Sequence, residues 1–530
     1  MYRNWSSVTI SKSIKGVAMS GSDSSPTTHL LDAEQYGLHK KLGFFVGPLL
    51  CVLLLMLPVP LGMPEAAWRV AAVASWMVIW WLLEPVPLAV TSFLPIVLFP
   101  LLHINAVKLA AAPYASPMIY LFLGGFILAL AMEKWRLHLR VALNIVGRMG
   151  NSADAIIGGF MLATCLLSMW ISNTATMMMM YPIAISSIHV LREHFKSDND
   201  ASFHAFATAL MIGIAYAANI GGVATLIGTP TNTVLSGYME EVYGIHINFL
   251  QWMQVGVPLS LVMLVICWVL LVKVLFPSNL ARLEMEQDFV HKQLQELGSV
   301  RYPEAMVILL CSVTALLWMT HGLINEALPG LELNETSIAI AAALALFLIP
   351  VDWKNGEFLM SWRDTARLPW GTLILFGGGL SLAAAFNYTG LAEWIGLKFS
   401  GFNGLSLFAL VLVIVTAIIF VSEVMGNAAV ITTFLPVLGS LSMALHINPL
   451  LLMIPATLAA SYAFMLPVGT PPNAIAFGSG YVRSPEMMRA GFVMNLVAVG
   501  LIMVVTYAIG LPVFDIDPAQ MPDWAIGVEP

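Results

Sequence analysis

Apolar residues along this chain come in long blocks, and polar and charged residues collect between them. Leu42–Gly62 and Val255–Phe276 are two such blocks, each close to the 17–25 or so residues that carry a helix across a bilayer. Read in order, the blocks predict spans near 42–62, 67–83, 86–102, 117–133, 204–238 and 253–275. A second series follows near 303–323, 336–350, 370–387, 447–480 and 488–512. Two more blocks, 154–191 and 405–445, are broken in the middle, by Ser172-Asn173-Thr174-Ala175-Thr176 and by Gly426-Asn427-Ala428. The spans 204–238 and 447–480 are also interrupted, around Gly228-Thr229-Pro230-Thr231-Asn232 and Gly469-Thr470-Pro471-Pro472-Asn473. The pattern predicts an all-α polytopic membrane protein of about eleven transmembrane helices, with blocks 154–191 and 405–445 as re-entrant hairpins.

Composition agrees. Of 530 residues, 59% are hydrophobic and 10% charged, where a soluble domain carries about 25% charged residues. Such a chain cannot cover a water-facing surface. The polar segment 1–41 lacks the short apolar core and small-residue site of a cleaved signal, and reads as a loosely ordered tail. Cys51, Cys165, Cys267 and Cys311 all lie in apolar segments without ligand spacing and read as small core hydrophobes. The net charge of −7 forms no basic stripe, so no nucleic-acid partner is expected. With both broken blocks as hairpins, all Lys and Arg but Arg69, Lys108 and Lys398 fall on one side, out of 23. The bias of bases toward the cytoplasm then places the N-terminus inside and the acidic tail 513–530 outside. Two full crossings per hairpin would give the same sidedness.

The two halves match. Leu121-Phe122-Leu123-Gly124-Gly125 parallels Leu375-Phe376-Gly377-Gly378-Gly379, and Asn173 parallels Asn427, both at an offset of 254 residues. The two Gly-Thr-Pro-x-Asn elements are offset by 241. Five crossings per unit is odd, so the units are inverted relative to each other. The expected organisation is a first span and first repeat over 42–275, an interfacial cytoplasmic linker over 276–302, and a second, inverted repeat over 303–512. Inverted repeats with paired broken helices point to a transporter site.

Chemistry explains why the breaks persist. An unpaired backbone group in hydrocarbon costs several kcal/mol, so a break survives only inside protein or beside water. At a hairpin tip the returning half-helix offers free N–H groups to an anion, and the arriving one offers carbonyls to a cation. Asn suits a tip because its amide both accepts and donates. In the Gly-Thr-Pro-x-Asn elements, Pro prevents the helix continuing backwards and Gly permits unwinding, which exposes carbonyls and turns Thr229 and Thr470 toward a cavity. Helix caps, polar glue between spans and simple proline kinks are the plain alternatives. No Lys or Arg lies near the middle of a predicted span, so an anion held there needs helix ends, side-chain donors and co-bound cations. Glu423 near the second tip reads as a tip-stabilising hydrogen-bond acceptor, and Glu84 as structural at a cytoplasmic turn. Met177–Met180 read as packing, and His103, His138 and His246 as loop residues without ligand spacing. No nucleotide-binding glycine loop, zinc-protease motif or nucleophile elbow is present, which leaves an enzyme or an ATP-driven pump without support.

These landmarks resemble the divalent anion/sodium symporter family of dicarboxylate, citrate and sulfate carriers. The resemblance spans about residues 42–512 through the paired tips, the paired Gly-Thr-Pro-x-Asn elements, the Leu-Phe-x-Gly-Gly runs and Glu296-Leu297-Gly298. It implies a homodimer in which a mobile domain carries the hairpins past a fixed scaffold, elevator-fashion, with sodium ions co-transported. It implies a first sodium site at Ser168, Ser172, Asn173 and Gly228, and a second at Ser422, Gly426, Asn427 and Gly469. The anion would sit between Ser172, Asn173, Thr174 and Asn427, near Thr229, Thr470 and Pro471. Gly426 and Ala428 stand where the family usually has Ser and Thr, so two hydroxyls are missing. The leading expectation is sodium symport of a di- or tricarboxylate. Sodium-independent exchange of organic acids, sulfate or oxyanion transport, and sodium/proton antiport remain alternatives, although the absence of a mid-span Asp pair tells against the last.

Overall fold

The computed structural model describes residues 37–150, 152–194, 200–278, 293–328, 330–399, 406–518 and 520–526. Residues 1–36 of the expected tail and 279–292 of the expected linker lie outside them; the last residues of that tail, from Leu38, already belong to the first helix. Helices dominate. A single pair of short antiparallel strands, Pro350–Asp352 and Glu357–Phe358, accounts for the β-structure among the described residues. Nine helices in these residues are long and apolar enough to cross a bilayer, and six shorter apolar helices accompany them.

The surface shows which solvent the helices meet. On Tyr302–Ala327, Leu309, Leu316 and Leu323 are exposed at seven-residue intervals, an apolar stripe facing outward as lipid requires. The interior is closed by small residues. A Cβ on Gly124 would meet the Ala339 backbone at 2.7 Å, and one on Gly378 would meet Ser92 Cα at 2.7 Å. The paired Leu-Phe-x-Gly-Gly runs are thus places where helices approach through bare backbone.

Several elements differ from the sequence expectation. The first helix runs Leu38–Met56 rather than 42–62, because Pro58 and Pro60 follow it. The expected span 86–102 is two pieces, Leu88–Thr91 and Leu94–Leu101, parted at Ser92-Phe93. Tyr114 donates its hydroxyl to the Ser92 carbonyl there. The basic stretch after residue 134 contains a helix, Leu137–Val146, so His138 is helical rather than in a loop; its ring sits 3.2 Å from the Met132 carbonyl.

Both broken blocks are helical hairpins: Ala153–Ser168 returning as Asn173–His194, and Leu407–Ser422 returning as Asn427–Leu445. Each arriving helix has 16 residues and rises about 24 Å, short of the about 30 Å of hydrocarbon. The interrupted spans are Asp200–Gly222 with Pro230–Tyr243, and Leu450–Ala460 with Pro471–Gly478. Long-range ion pairs such as Arg140 with Glu304 and Lys273 with Asp154 join groups that the sequence places on one side of the bilayer.

Candidate functional site

At the first tip the chain leaves Ala153–Ser168, turns, and restarts at Asn173. Ser172 caps the new helix by accepting the Ala175 N–H at 3.4 Å. The Ser168 hydroxyl reaches both Asn173 Oδ1 at 2.8 Å and the Ala218 carbonyl at 2.7 Å. Asn173 Nδ2 donates to Asn219 Oδ1 at 3.4 Å, and Asn219 Nδ2 donates to Thr470 Oγ1 at 3.0 Å. One polar chain therefore runs from the first hairpin to the second unwound span, inside otherwise apolar packing.

The unwound spans are held by the last residue of their own motifs. Asn232 Nδ2 donates to the carbonyls of Gly222, Val223 and Thr225 at 3.3, 3.2 and 2.8 Å. Asn473 Nδ2 donates to Ala463 and Leu466 at 3.1 and 3.2 Å. Gly222 and Ala463, and Thr225 and Leu466, are each separated by the same 241 residues as the two asparagines. This refines the expectation that unwinding exposes carbonyls: several are occupied by the motif asparagines, and only the remainder are open to an ion.

Each tip is also tied to its neighbouring unwound span, by different chemistry. At the first, Thr225 Oγ1 donates to the Met169 carbonyl at 2.5 Å. At the second, Glu423, offset by 254 from Met169, is 3% exposed. Its carboxylate accepts the N–H groups of Phe464, Met465 and Leu466 at 2.7–3.0 Å and Asn495 Nδ2 at 2.7 Å. The hydrogen-bonding role read for Glu423 is what the geometry shows. Glu84 caps Glu65–Leu83 in the left-handed region at φ 43°, and its carboxylate reaches to the second tip, 3.7 Å from where a Cβ on Gly426 would stand.

Both tips and both Gly-Thr-Pro elements face one cavity of about 570 Å³. Ser172, Asn173, Thr174, Gly228, Thr229, Gly426, Asn427, Gly469, Thr470 and Pro471 line it. Ser168 and Ser422 do not. Both are fully buried behind the tips, and Ser422 Oγ turns back to the Ile418 carbonyl at 2.8 Å. Asn427 Oδ1 is buried with no hydrogen-bond partner, an acceptor that is costly to leave unmade. Among the described residues lining the cavity, the charged ones are Arg367 and Glu133, paired with each other. Asn219, Thr225, Asn495, Glu133 and Arg367 were not singled out by the sequence. The available signal was a lone polar residue in an apolar helix for Asn219 and Asn495, and none for the others.

Two helical hairpins meeting two unwound spans around one cavity are the arrangement of a secondary transporter. Residues 40–515 match the family described as the sodium:sulfate symporter transmembrane region, and the chain belongs to that family, one of multi-pass membrane carriers. It is 41% identical over 492 residues to the "Sodium-dependent dicarboxylate transporter SdcS" of Staphylococcus saprophyticus, covering 92% of this chain and 94% of that protein. It is 43% identical over 486 residues to the same-named protein of Staphylococcus aureus strain MRSA252, covering 90% and 93%. Solved structures share the fold: the YdaH transporter of Alcanivorax borkumensis, with TM-score 0.50 and 15% identity, covers 76% of this chain and 88% of its own. MtrF of Neisseria gonorrhoeae, with TM-score 0.50 and 14% identity, covers 75% and 82%.

Proposed function

We propose that this protein is a sodium-coupled symporter of C4–C6 di- or tricarboxylates. The observation that carries the reading is the cavity between the two tips: it holds helix N-termini and amide groups, no base at its inner end, and the unpartnered Asn427 Oδ1. An anion placed there meets the N–H groups and hydroxyls of Ser172-Asn173-Thr174 and the start of Asn427–Leu445. A cation meets the oxygens that the amides and the uncapped carbonyls present. Each lowers the cost of the other, because opposite charges are brought into a medium of low dielectric together. This mutual dependence is the physical basis of coupling.

In this reading Ser168, Ser172, Asn173 and Gly228 surround the first sodium ion, and Ser422, Gly426, Asn427 and Gly469 the second. Thr229, Thr470 and Pro471 complete the anion site. The names and identity of the staphylococcal relatives support sodium and a dicarboxylate. The base-rich side, with the N-terminus, faces the cytoplasm, and the 513–530 tail faces outward. The repeats 42–275 and 303–512 form a dimeric carrier whose hairpins move as an elevator. The test is uptake of labelled succinate into proteoliposomes. An inward sodium gradient drives accumulation; uptake indifferent to sodium, yet dependent on internal counter-substrate, refutes symport.

A further inference from the structure

The inner cavity lacks a base, but its mouth has one. Arg367 ends the short helix Trp362–Arg367 and Glu133 sits near the end of Pro117–Lys134; both line the cavity and they pair with each other. A second ion pair runs parallel to the first, from Lys134 to Asp364 at 2.8 Å. Asp364 also accepts the Ser361 N–H at 2.8 Å, so this second pair fastens the two elements together by itself. The Arg367–Glu133 pair is therefore not the sole tie between these elements. Its guanidinium is the more exposed, at 59% of the side chain, and among the described residues Glu133 is its one side-chain partner. A guanidinium carries five N–H donors in a fork that fits a carboxylate or sulfate, and among the described residues one side-chain acceptor, Glu133, takes any of them.

We propose that Arg367 is an anion station at the cavity mouth, which takes the leaving or arriving cargo by one of its acidic groups while Glu133 gives way. The inference rests on the transport reading above. A free dianion passing from the tips to bulk water leaves the sodium sites behind, and among the described residues lining the cavity Arg367 is the one base it meets. Arg367 supplies positive charge there, and Glu133 competes for it, so the cargo is met without being trapped. Because the pair sits on the side that carries the chain's bases, its effect belongs to that face alone.

The test is exchange of labelled succinate in oriented proteoliposomes, reading the half-saturating concentration on each face for wild type, R367Q, R367K and E133Q. R367Q is expected to raise it about fivefold on the base-rich face at low salt, with the other face unchanged and the difference shrinking as salt screens it. R367K, which keeps the charge and loses the fork, falls between wild type and R367Q on that face. E133Q lowers it on the base-rich face, which keeps the idea testable if R367Q fails to fold. Equal changes on both faces, or none, overturn the proposal. Labelled sulfate is run in parallel: a wild type that exchanges neither anion overturns both the transport reading and this inference. A wild type that exchanges one of them, with R367Q and E133Q unaltered, overturns this inference alone.

Discussion

Replacing Glu423 by Gln tests whether a buried carboxylate holds the second ion site together. The carboxylate receives the N–H groups of Phe464, Met465 and Leu466 and the Asn495 amide, so every group bonded to it acts as a donor. A Gln amide puts its own NH2 against some of them in either orientation. In the milder one it displaces Oε2 and orphans the Leu466 N–H, at about 1–3 kcal/mol. The three bonds that persist fall from the charged to the neutral class, about 1 kcal/mol each. The total is about 4–6 kcal/mol, concentrated on the unwound segment that leads to Gly469. If half of it falls on the ion-bound state, the half-saturating sodium concentration rises about 30- to 150-fold. The assay is sodium dependence of labelled succinate uptake, with size-exclusion of the purified variant as a check on folding. E423Q that folds and keeps its sodium half-saturation within about threefold of wild type refutes the argument.

Asn173→Ala and Asn427→Ala should each abolish uptake in protein that still purifies as a single species; near-normal uptake in both removes the site assignment. Gly426 has φ −60° and room for a side chain, with Glu84 Oε1 as the nearest atom at 3.7 Å. Gly426→Ser should therefore tighten dicarboxylate binding about tenfold by one added bond to a charged group, read by thermal-shift titration, and unchanged affinity means that the backbone already serves that group. Gly222→Ala drives a Cβ into Asn173 Oδ1 and should cost about 1–3 kcal/mol by overpacking, seen as weaker sodium activation; a wild-type sodium response contradicts the packing. His246, in the loop before Phe249–Val269, bonds Glu335 at 2.7 Å with Glu240 and His321 nearby. That hydrogen bond holds the imidazole above its ordinary value despite burial. Its stabilisation is full below about pH 6.5 and is lost as pH rises through the raised value. The thermal midpoint of wild type should fall over that rise more than that of H246Q, and parallel curves refute the link.

The sequence alone determined that this is a helical membrane protein, where its spans break, and that its halves correspond, because these are local properties. A run of apolar residues must leave water, and a polar break inside one must find shelter, whatever surrounds it. The residues at the breaks were legible for the same reason: Asn173, Asn427 and the Gly-Thr-Pro elements are anomalies against their own apolar neighbours. What lay beyond reading was who meets whom. Asn219 joins Asn173 to Thr470 across 46 and 251 residues of chain, and Glu423 gathers donors 41–72 residues away. The break at Ser92-Phe93 comes with a hydroxyl from Tyr114, and Arg367 reaches Glu133 from 234 residues away. Composition and periodicity carry no record of such distances. Only the packed bundle chose which carbonyls were tied down, that Ser168 and Ser422 stayed behind their tips, and that Asn427 Oδ1 was left open at the cavity, since a hydrogen bond is made by proximity in space and not by order along the chain.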